Sequence, residues 1–158
     1  MKLTDFVVTE AIVPQLESTD RNGVIAELVD SLVKAGACSR NLRDQVVNAI
    51  IDREQKGSTG FGKGVAVPHV KHARLKKMSA AIGLSQKGVD FNALDKAPVY
   101  SVVLLLSPED TPDEHLQAME TIFSHLQKET FRRFLRQANS VDEVTELLNE
   151  ADAQQIQS

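Results

Sequence analysis

A nearly continuous apolar run at residues 99–106 constrains the fold of this chain more than any other segment. Such a run is typical of a strand that is buried on both faces, whereas a half-exposed strand alternates apolar and polar residues. Helical patterns occur before and after the run, so we predict an α/β fold with a small mixed β-sheet flanked by helices on both sides. Shorter strands are predicted at residues 65–67 and 80–84, and residues 88–91 are predicted to form a turn, with a short strand as the alternative.

The predicted helices are defined by apolar stripes and by capping residues at their ends. A first helix begins at Thr19 or Asp20, either of which can cap it, and ends at Gly36. A second helix has Ser39 as its N-cap and ends near Gly57. Three helices in the C-terminal third begin at a capping box of Thr111 and Glu114 around Pro112, near residue 130, and at a second box of Ser140 and Glu143.

Length and composition limit the class of protein. With 158 residues, 42% of them hydrophobic and 25% charged, the chain is expected to form one globular domain spanning residues 1–158. The longest apolar run, residues 102–106, is too short to cross a membrane. No signal peptide is visible in the first 13 residues, so we expect a cytoplasmic protein without direct membrane insertion.

The polar and sulfur-containing residues exclude further classes. A net charge of −4 and an aromatic content of 4% argue against nucleic-acid binding. The single cysteine, Cys38, excludes a disulfide framework and is predicted to be a half-buried free thiol without a role. The arginines and lysines near the middle and the end of the chain form either a docking surface or ordinary solvated segments; they are Lys63, Lys71, Arg74, Lys76, Lys77, Arg132, Arg133 and Arg136.

A glycine-rich segment at residues 57–64 nearly matches a phosphate-binding P-loop. It departs from that motif at Gly64, which replaces the Ser or Thr whose hydroxyl would bind magnesium. The segment also follows a helix and leads into a strand, which is the reverse of the order that a P-loop requires. We therefore predict a tight loop without a nucleotide site, and this loop delivers the chain to Pro68 and His69.

Two of the four histidines occupy special positions. His69 follows a predicted strand and a proline, at a strand end where α/β proteins commonly build sites. His115 lies in the first turn of a helix, whose dipole disfavours the imidazolium form, and a neutral imidazole is a nucleophile suited to phosphorus. His72 is predicted to be solvated and His125 to be a partly buried surface residue. His69 and His72 have metal-ligand spacing, but no third ligand is clustered near them, so no metal site is predicted.

Residues 64–69, Gly-Val-Ala-Val-Pro-His, preceded by Ser-Thr-Gly at 58–60, resemble the active-site signature of enzyme IIA domains of the bacterial phosphotransferase system. The class is the mannitol/fructose type, which includes the nitrogen-regulatory branch. The resemblance extends over nearly the whole chain. It is also carried by Arg53-Glu54, by Leu106-Ser107-Pro108 at the end of the buried strand, and by His115-Leu116 at a helix start.

The resemblance implies a mixed sheet flanked by helices and a role for each matching residue. His69 matches the histidine that accepts a phosphoryl group from the histidine phosphocarrier protein. His115 matches a second histidine that supports the phosphorylated ring, and Arg53 matches an arginine that lies near the site and offsets charge. One departure is Val70, because the residue after the signature histidine is usually small. A β-branched residue resists positive φ, so Val70 is expected to change the loop or to crowd the partner.

The resemblance implies a phosphotransferase that needs no metal or nucleotide. The phosphoryl group would pass to an enzyme IIB domain in sugar transport, or its presence on the protein would regulate a target protein. Because this chain carries no IIB or membrane domain, regulation is expected slightly more than transport. The competing class is a non-catalytic binding module that keeps the fold without phosphoryl transfer.

Overall fold

The computed structural model describes residues 1–157, and side chains as far as residue 154. Within that part of the chain one mixed sheet contains six strands, β1 (Val7–Val13), β2 (Gly60–Gly62), β3 (Val65–Ala66), β4 (His69–His72), β5 (Ser79–Val89) and β6 (Val99–Pro108). The helices are α1 (Arg21–Lys34), α2 (Arg43–Lys56), α3 (Pro112–Leu126), α4 (Glu129–Gln137) and α5 (Val141–Gln157). Two 3₁₀ turns, Leu3–Asp5 and Arg40–Leu42, precede β1 and α2.

The long strand β6 organises the sheet. It pairs antiparallel with β5 along one edge, and β5 pairs parallel with β1. Along its other edge β6 pairs in parallel first with β3 and then with β4, while β2 completes a hairpin with β3. Because β3 and β4 follow one another on the same edge, the short link at Val67 and Pro68 carries the chain along β6 to His69.

The two faces of β6 pack against different helices. Val102, Leu104 and Leu106 contribute to a buried cluster with α1 and α2, which includes residues such as Ile25, Leu28, Val46 and Ile50. Val103 and Leu105 point to the opposite face and join a second cluster with α3, α4 and α5, which includes Ile122, Leu126, Leu135 and Val144. The alternation follows from the two-residue period of a strand. The predicted α/β fold, with helices on both sides of a mixed sheet, is therefore confirmed.

Several predicted boundaries are wrong for local reasons. The sequence gives no clear signal for β1, because the register with β5 shifts between Val7 and Ile12 and the alternation of apolar residues is lost. The strand β5 includes Gly88 and ends at Val89, so the predicted turn at residues 88–91 is displaced to the residues after Val89. The helix after Ser39 begins with a 3₁₀ turn, and Ser39 makes no side-chain cap.

The predicted helix caps divide into two groups. Asp20 caps α1 by accepting a hydrogen bond from the Gly23 amide at 2.7 Å, and Ser140 caps α5 through the Glu143 amide at 3.1 Å. Thr111 precedes α3 as predicted, but its side chain makes no capping hydrogen bond. The start of α3 is thus fixed by Pro112 at its first position rather than by the predicted box. No helix of the described chain is long and apolar enough to span a bilayer.

Candidate functional site

His69 begins strand β4 instead of lying in a loop. Its backbone is paired with Leu105, and the Leu105 amide donates a hydrogen bond to the Pro68 carbonyl at 3.0 Å. Val70 is paired with Leu106 in the same strand. Among residues 1–157 the non-glycine residues with positive φ are Lys63, Asn92 and Lys96, so Val70 has no need of that conformation. The predicted distortion at Val70 is wrong, because a strand favours β-branched residues.

The His69 ring is half-buried and held by one backbone acceptor. Its Nδ1 lies 2.8 Å from the Val67 carbonyl oxygen. A carbonyl oxygen can only accept a hydrogen bond, so Nδ1 must carry the proton. In the neutral ring Nε2 then carries the lone pair. The structure therefore fixes which nitrogen of His69 can act as a nucleophile.

His115 lies against His69 in the first turn of α3. The two ring centroids are 5.6 Å apart, and the ring planes are inclined by 48°. His115 is 8% exposed, and its Nδ1 shares a hydrogen bond of 2.7 Å with the hydroxyl of Ser107, which is completely buried near the end of β6. The structure thus brings together two predicted site residues and adds Ser107, whose place opposite β4 depends on strand register.

Burial lowers the pKa of His115 to about 4, with smaller contributions from the neighbouring His69 and Lys71. His115 is consequently neutral at pH 7. The sequence predicts a neutral ring from the helix dipole, whereas the largest cause in the structure is removal of the ring from water. The result is a site with two imidazoles, one of which is held uncharged by its surroundings.

Lys71 stands on the same side of β4 as His69. The register pairs Lys71 with Ser107, and side chains two residues apart in a strand point to the same face. In the sequence, Lys71 is only one of the basic residues between positions 63 and 77. The structure divides that stretch, since Lys63 lies in the hairpin between β2 and β3 while Arg74 follows β4. The strand period after His69 is the signal that could have singled out Lys71.

Arg53 lies in the last turn of α2, a helix that packs against β4. Its side chain is exposed, and Nη1 donates a hydrogen bond of 2.7 Å to the Gly57 carbonyl. Among the described residues, no hydrogen bond joins Arg53 to His69 or His115. The structure therefore places Arg53 beside the glycine loop, where its guanidinium is bound to Gly57.

The remaining residues singled out from the sequence lie outside this site. Cys38 is buried rather than half-buried, and burial raises its pKa. His125 is 2% exposed, and its ring centroid lies 5.5 Å from that of Phe131, so its predicted surface position is wrong. His72 is half-buried, and its Nδ1 accepts a hydrogen bond from the Arg74 amide at 3.1 Å. Over the described part of the chain, no group of three or more His, Cys, Asp or Glu side chains could hold a metal ion.

The glycine loop forms a tight hairpin, as the sequence predicts. Gly62, Lys63 and Gly64 all have positive φ, at 106°, 62° and 77°, between β2 and β3. Glu54, at the end of α2, is 2% exposed and binds the start of this hairpin through Thr59. Neither Glu54 nor Thr59 is assigned a role from the sequence, because the sequence does not show that the Glu54 side chain turns back onto the residue five positions later.

Comparison with known proteins gives consistent matches along the chain. A sequence model of the phosphoenolpyruvate-dependent sugar phosphotransferase system EIIA 2 family matches residues 5–151. The fructose-specific EIIABC component of Bacillus subtilis (strain 168) is 35% identical over 152 residues, which are 96% of this chain. The chain spans only 24% of the length of that relative.

Two solved structures are similar in fold and sequence. The nitrogen regulatory protein IIA-Ntr from Neisseria meningitidis has a TM-score of 0.82 and 29% identity, covering 91% of this chain and 97% of that one. The Escherichia coli enzyme IIAMtl, solved with phosphorylated enzyme IIBMtl, has a TM-score of 0.74 and 26% identity, covering 89% and 95%. Since the family match extends from residue 5 to residue 151, the chain belongs to the EIIA 2 family of the phosphotransferase system.

Proposed function

We propose that this protein is a phosphohistidine carrier in which Nε2 of His69 accepts a phosphoryl group from the histidine phosphocarrier protein. The hydrogen bond from His69 Nδ1 to the Val67 carbonyl carries the proposal, because it leaves the Nε2 lone pair free on a half-buried ring. Membership of the EIIA 2 family supports a phosphocarrier role in sugar transport or nitrogen regulation. The carrier acts as one domain spanning residues 1–158, in the cytoplasm.

The chemistry requires one bond to form as another breaks. The His69 Nε2 lone pair attacks phosphorus while the phosphorus–nitrogen bond to the donor breaks, and its electron pair returns to the imidazole of the donor. The proton on His69 Nδ1 stays on its hydrogen bond to Val67, so the transfer moves a phosphoryl group without moving a proton. No metal or nucleotide takes part.

His115 supports the phosphorylated ring as a hydrogen-bond donor. When the Ser107 hydroxyl donates to Nδ1, the neutral His115 ring carries its proton on Nε2. That N–H is then free to donate to a phosphoryl oxygen on the adjacent His69. Because the ring is already buried and uncharged, it needs no reorganisation when the phosphoryl group arrives.

Two cations offset the charge of the phosphoryl group from the edge of the site. Lys71 is on the His69 face of β4, and its positive charge contributes to lowering the pKa of His115. Arg53 acts at longer range, from the end of α2, since its guanidinium is bound to Gly57. Exposed cations are screened by solvent, so we assign Arg53 a modest electrostatic role.

The partners follow from the site and from its relatives. The exposed Leu116 beside His115 gives the site an apolar neighbour that a docking protein can cover. The related enzyme IIAMtl is solved with phosphorylated enzyme IIBMtl, which supports an enzyme IIB domain as recipient. The related nitrogen regulatory protein IIA-Ntr supports the other outcome, in which phosphorylation regulates a target protein.

Phosphoryl transfer in a reconstituted system tests the proposal. The protein is incubated with phosphoenolpyruvate, enzyme I and the histidine phosphocarrier protein, and acid-labile phosphate is measured. We expect labelling of the wild type and of His72→Ala, which removes a histidine of the same strand, and none of His69→Ala. An unlabelled wild type, or equal labelling of His69→Ala, would contradict the carrier function.

The binding-module alternative depends on Val70 as an obstacle to transfer. In strand β4 Val70 has ordinary backbone geometry and packs its side chain against the cluster under α1 and α2. The observation that favoured the alternative therefore no longer supports it. A folded wild type that takes up no phosphate would be the result expected of a binding module.

A further inference from the structure

The geometry points to Glu54 and Thr59 as positioning residues that set the tautomer of the His69 ring through a chain of hydrogen bonds. The effect on transfer rate rests on the proposed carrier function, whereas the effect on the tautomer does not. Among the described residues, no hydrogen bond joins Glu54 or Thr59 to His69 directly. Their effect on His69 therefore passes through hydrogen bonds that join α2 to the glycine loop, and the glycine loop to Val67 before β4.

The first link is a buried carboxylate that binds a single residue. Glu54 is 2% exposed, and its two oxygens accept from the Thr59 amide at 3.1 and 3.3 Å. The Thr59 hydroxyl donates to Oε1 of the same carboxylate. The end of α2 thereby fixes both the backbone and the side chain of Thr59.

Within the described part of the chain, the Glu54 carboxylate forms no salt bridge that would offset its burial. The salt bridges found among the described side chains join Arg43 to Asp30 and to Asp44, and none includes Glu54. A buried carboxylate is costly unless its oxygens are fully bonded, so Glu54 depends on the two donors of Thr59. Because the Thr59 amide and hydroxyl both donate to one carboxylate, these hydrogen bonds fix the position of Thr59 more tightly than an apolar contact of similar size would.

The second link carries this position to the active ring. The Thr59 carbonyl accepts a hydrogen bond from the Val67 amide at 3.3 Å, and the Val67 carbonyl accepts from His69 Nδ1 at 2.8 Å. On the other side, the Pro68 carbonyl is bound by the Leu105 amide at 3.0 Å. The Val67 carbonyl that orients His69 therefore lies between two peptides that are held, one from the glycine loop and the other from β6.

A substitution that lets Thr59 move weakens one of these two supports, the hydrogen bond from the Val67 amide to the Thr59 carbonyl. The Val67 carbonyl can then rotate away from Nδ1, and the His69 proton becomes free to move to Nε2. A ring protonated on Nε2 has no lone pair where the proposed transfer needs one. We expect the wild type to hold nearly all neutral His69 with its proton on Nδ1, and variants of the Glu54–Thr59 pair to hold a mixture.

The chain offers a matched control for Glu54. Asp152 is also a buried carboxylate, 4% exposed, and it accepts from the amides of Leu3 and Thr4 at 2.7 and 3.1 Å and from the Thr4 hydroxyl at 2.8 Å. Asp152 ties the N-terminus to α5, far along the chain from His69. Asp152→Asn thus removes the same kind of bonding without disturbing the proposed chain.

The experiment measures the nitrogen shifts of His69 by ¹⁵N NMR above pH 8, together with the rate of labelling by the histidine phosphocarrier protein. We expect Glu54→Gln and Thr59→Val to show a tautomer mixture and a rate about 10- to 100-fold lower. Thr59→Ser keeps both donors and should restore the wild-type spectrum and rate. Asp152→Asn should lose stability with neither change, and if Glu54→Gln does not fold, Thr59→Val provides the same test.

The outcomes separate this inference from the proposed function. If Glu54→Gln and Thr59→Val keep the wild-type tautomer and rate and only lose stability, as Asp152→Asn does, the positioning role is overturned while the carrier function stands. If the tautomer changes but the wild type takes up no phosphate, the positioning role stands and the carrier function fails.

Discussion

His115 and His125 lie on the same helix, and both are buried, yet their surroundings differ. His115 shares a hydrogen bond with Ser107 and faces the ring of His69 at 5.6 Å. His125 instead packs beside the Phe131 ring in the second hydrophobic cluster. Burial alone therefore does not make a histidine part of a site. The difference comes from the sheet, because the β4 end of β6 brings a second imidazole and the Ser107 hydroxyl to His115.

The largest expected effect concerns the burial of His115 as a neutral ring. Its pKa falls from 6.5 to about 4 on folding, so between these values the unfolded chain binds a proton that the folded chain does not. Above pH 6.5 the His115 ring is neutral in both states and does not make the free energy of unfolding depend on pH. As the pH falls from 6.5 towards 4, protonation of the unfolded chain lowers the free energy of unfolding. We expect a loss of about 3 kcal/mol from this group.

Urea unfolding of the wild type and His115→Asn between pH 4 and pH 7 measures that loss. The wild type should lose on the order of 3 kcal/mol more than the variant over the interval, since the other titrating groups are common to both. Parallel stability curves would show that the environment of His115 does not disfavour its charge.

A smaller effect is expected from removing the Ser107 hydroxyl that is hydrogen-bonded to His115. Ser107→Ala leaves His115 Nδ1 without its partner, so the ring no longer has a fixed donor towards the phosphoryl group. The loss of one such hydrogen bond corresponds to a rate of labelling about 10-fold lower. The rate is measured with the reconstituted phosphocarrier system.

Ser79→Ala is the matched control for this variant. Ser79 is 3% exposed, and its hydroxyl has no hydrogen-bond partner among the described residues, so its removal should leave the labelling rate unchanged. Equal rates for Ser107→Ala and the wild type would remove Ser107 from the site.

The smallest effect is expected at Arg53, which among the described residues is hydrogen-bonded to Gly57 and to neither imidazole. Arg53→Gln should lower the labelling rate about 3-fold at low ionic strength, and the difference should shrink as salt is added. Lys56→Gln, in the same last turn of α2, controls for a general loss of positive charge. If Arg53→Gln does not lower the labelling rate at low salt, or lowers it only as much as Lys56→Gln does, Arg53 has no specific electrostatic role.

The fold was largely predictable, because the signals that define it are local. The apolar run that forms β6 predicts burial on both faces, and its residues alternate between two clusters as that interpretation requires. Strand β1 was not predictable in this way, since its irregular pairing with β5 breaks the two-residue pattern. Likewise, a proline at the start of α3 was visible in the sequence, whereas the unused Thr111 side chain was not.

The candidate site was predictable only in part. His69 and His115 stand out because a proline and a helix start mark their positions in the sequence. Ser107 depends on the register between β4 and β6, and Thr59 depends on how the end of α2 meets the hairpin. The pairing of β4 with Ser107 is a long-range relation. Glu54 and Thr59 are only five residues apart, but their contact depends on where α2 ends and the hairpin begins, which the sequence pattern does not specify. The resemblance of residues 64–69 to a known signature supplied the function class that residue chemistry alone left open.

The nitrogen that carries the phosphoryl group tests the central claim most directly. The phosphorylated protein, labelled with ¹⁵N at histidine, is observed by ³¹P and ¹⁵N NMR at alkaline pH, where the phosphorus–nitrogen bond survives. The account predicts one phosphohistidine, at His69, with phosphorus on Nε2 and a proton retained on Nδ1. Phosphorus on Nδ1 of His69, or on any other histidine, would contradict it.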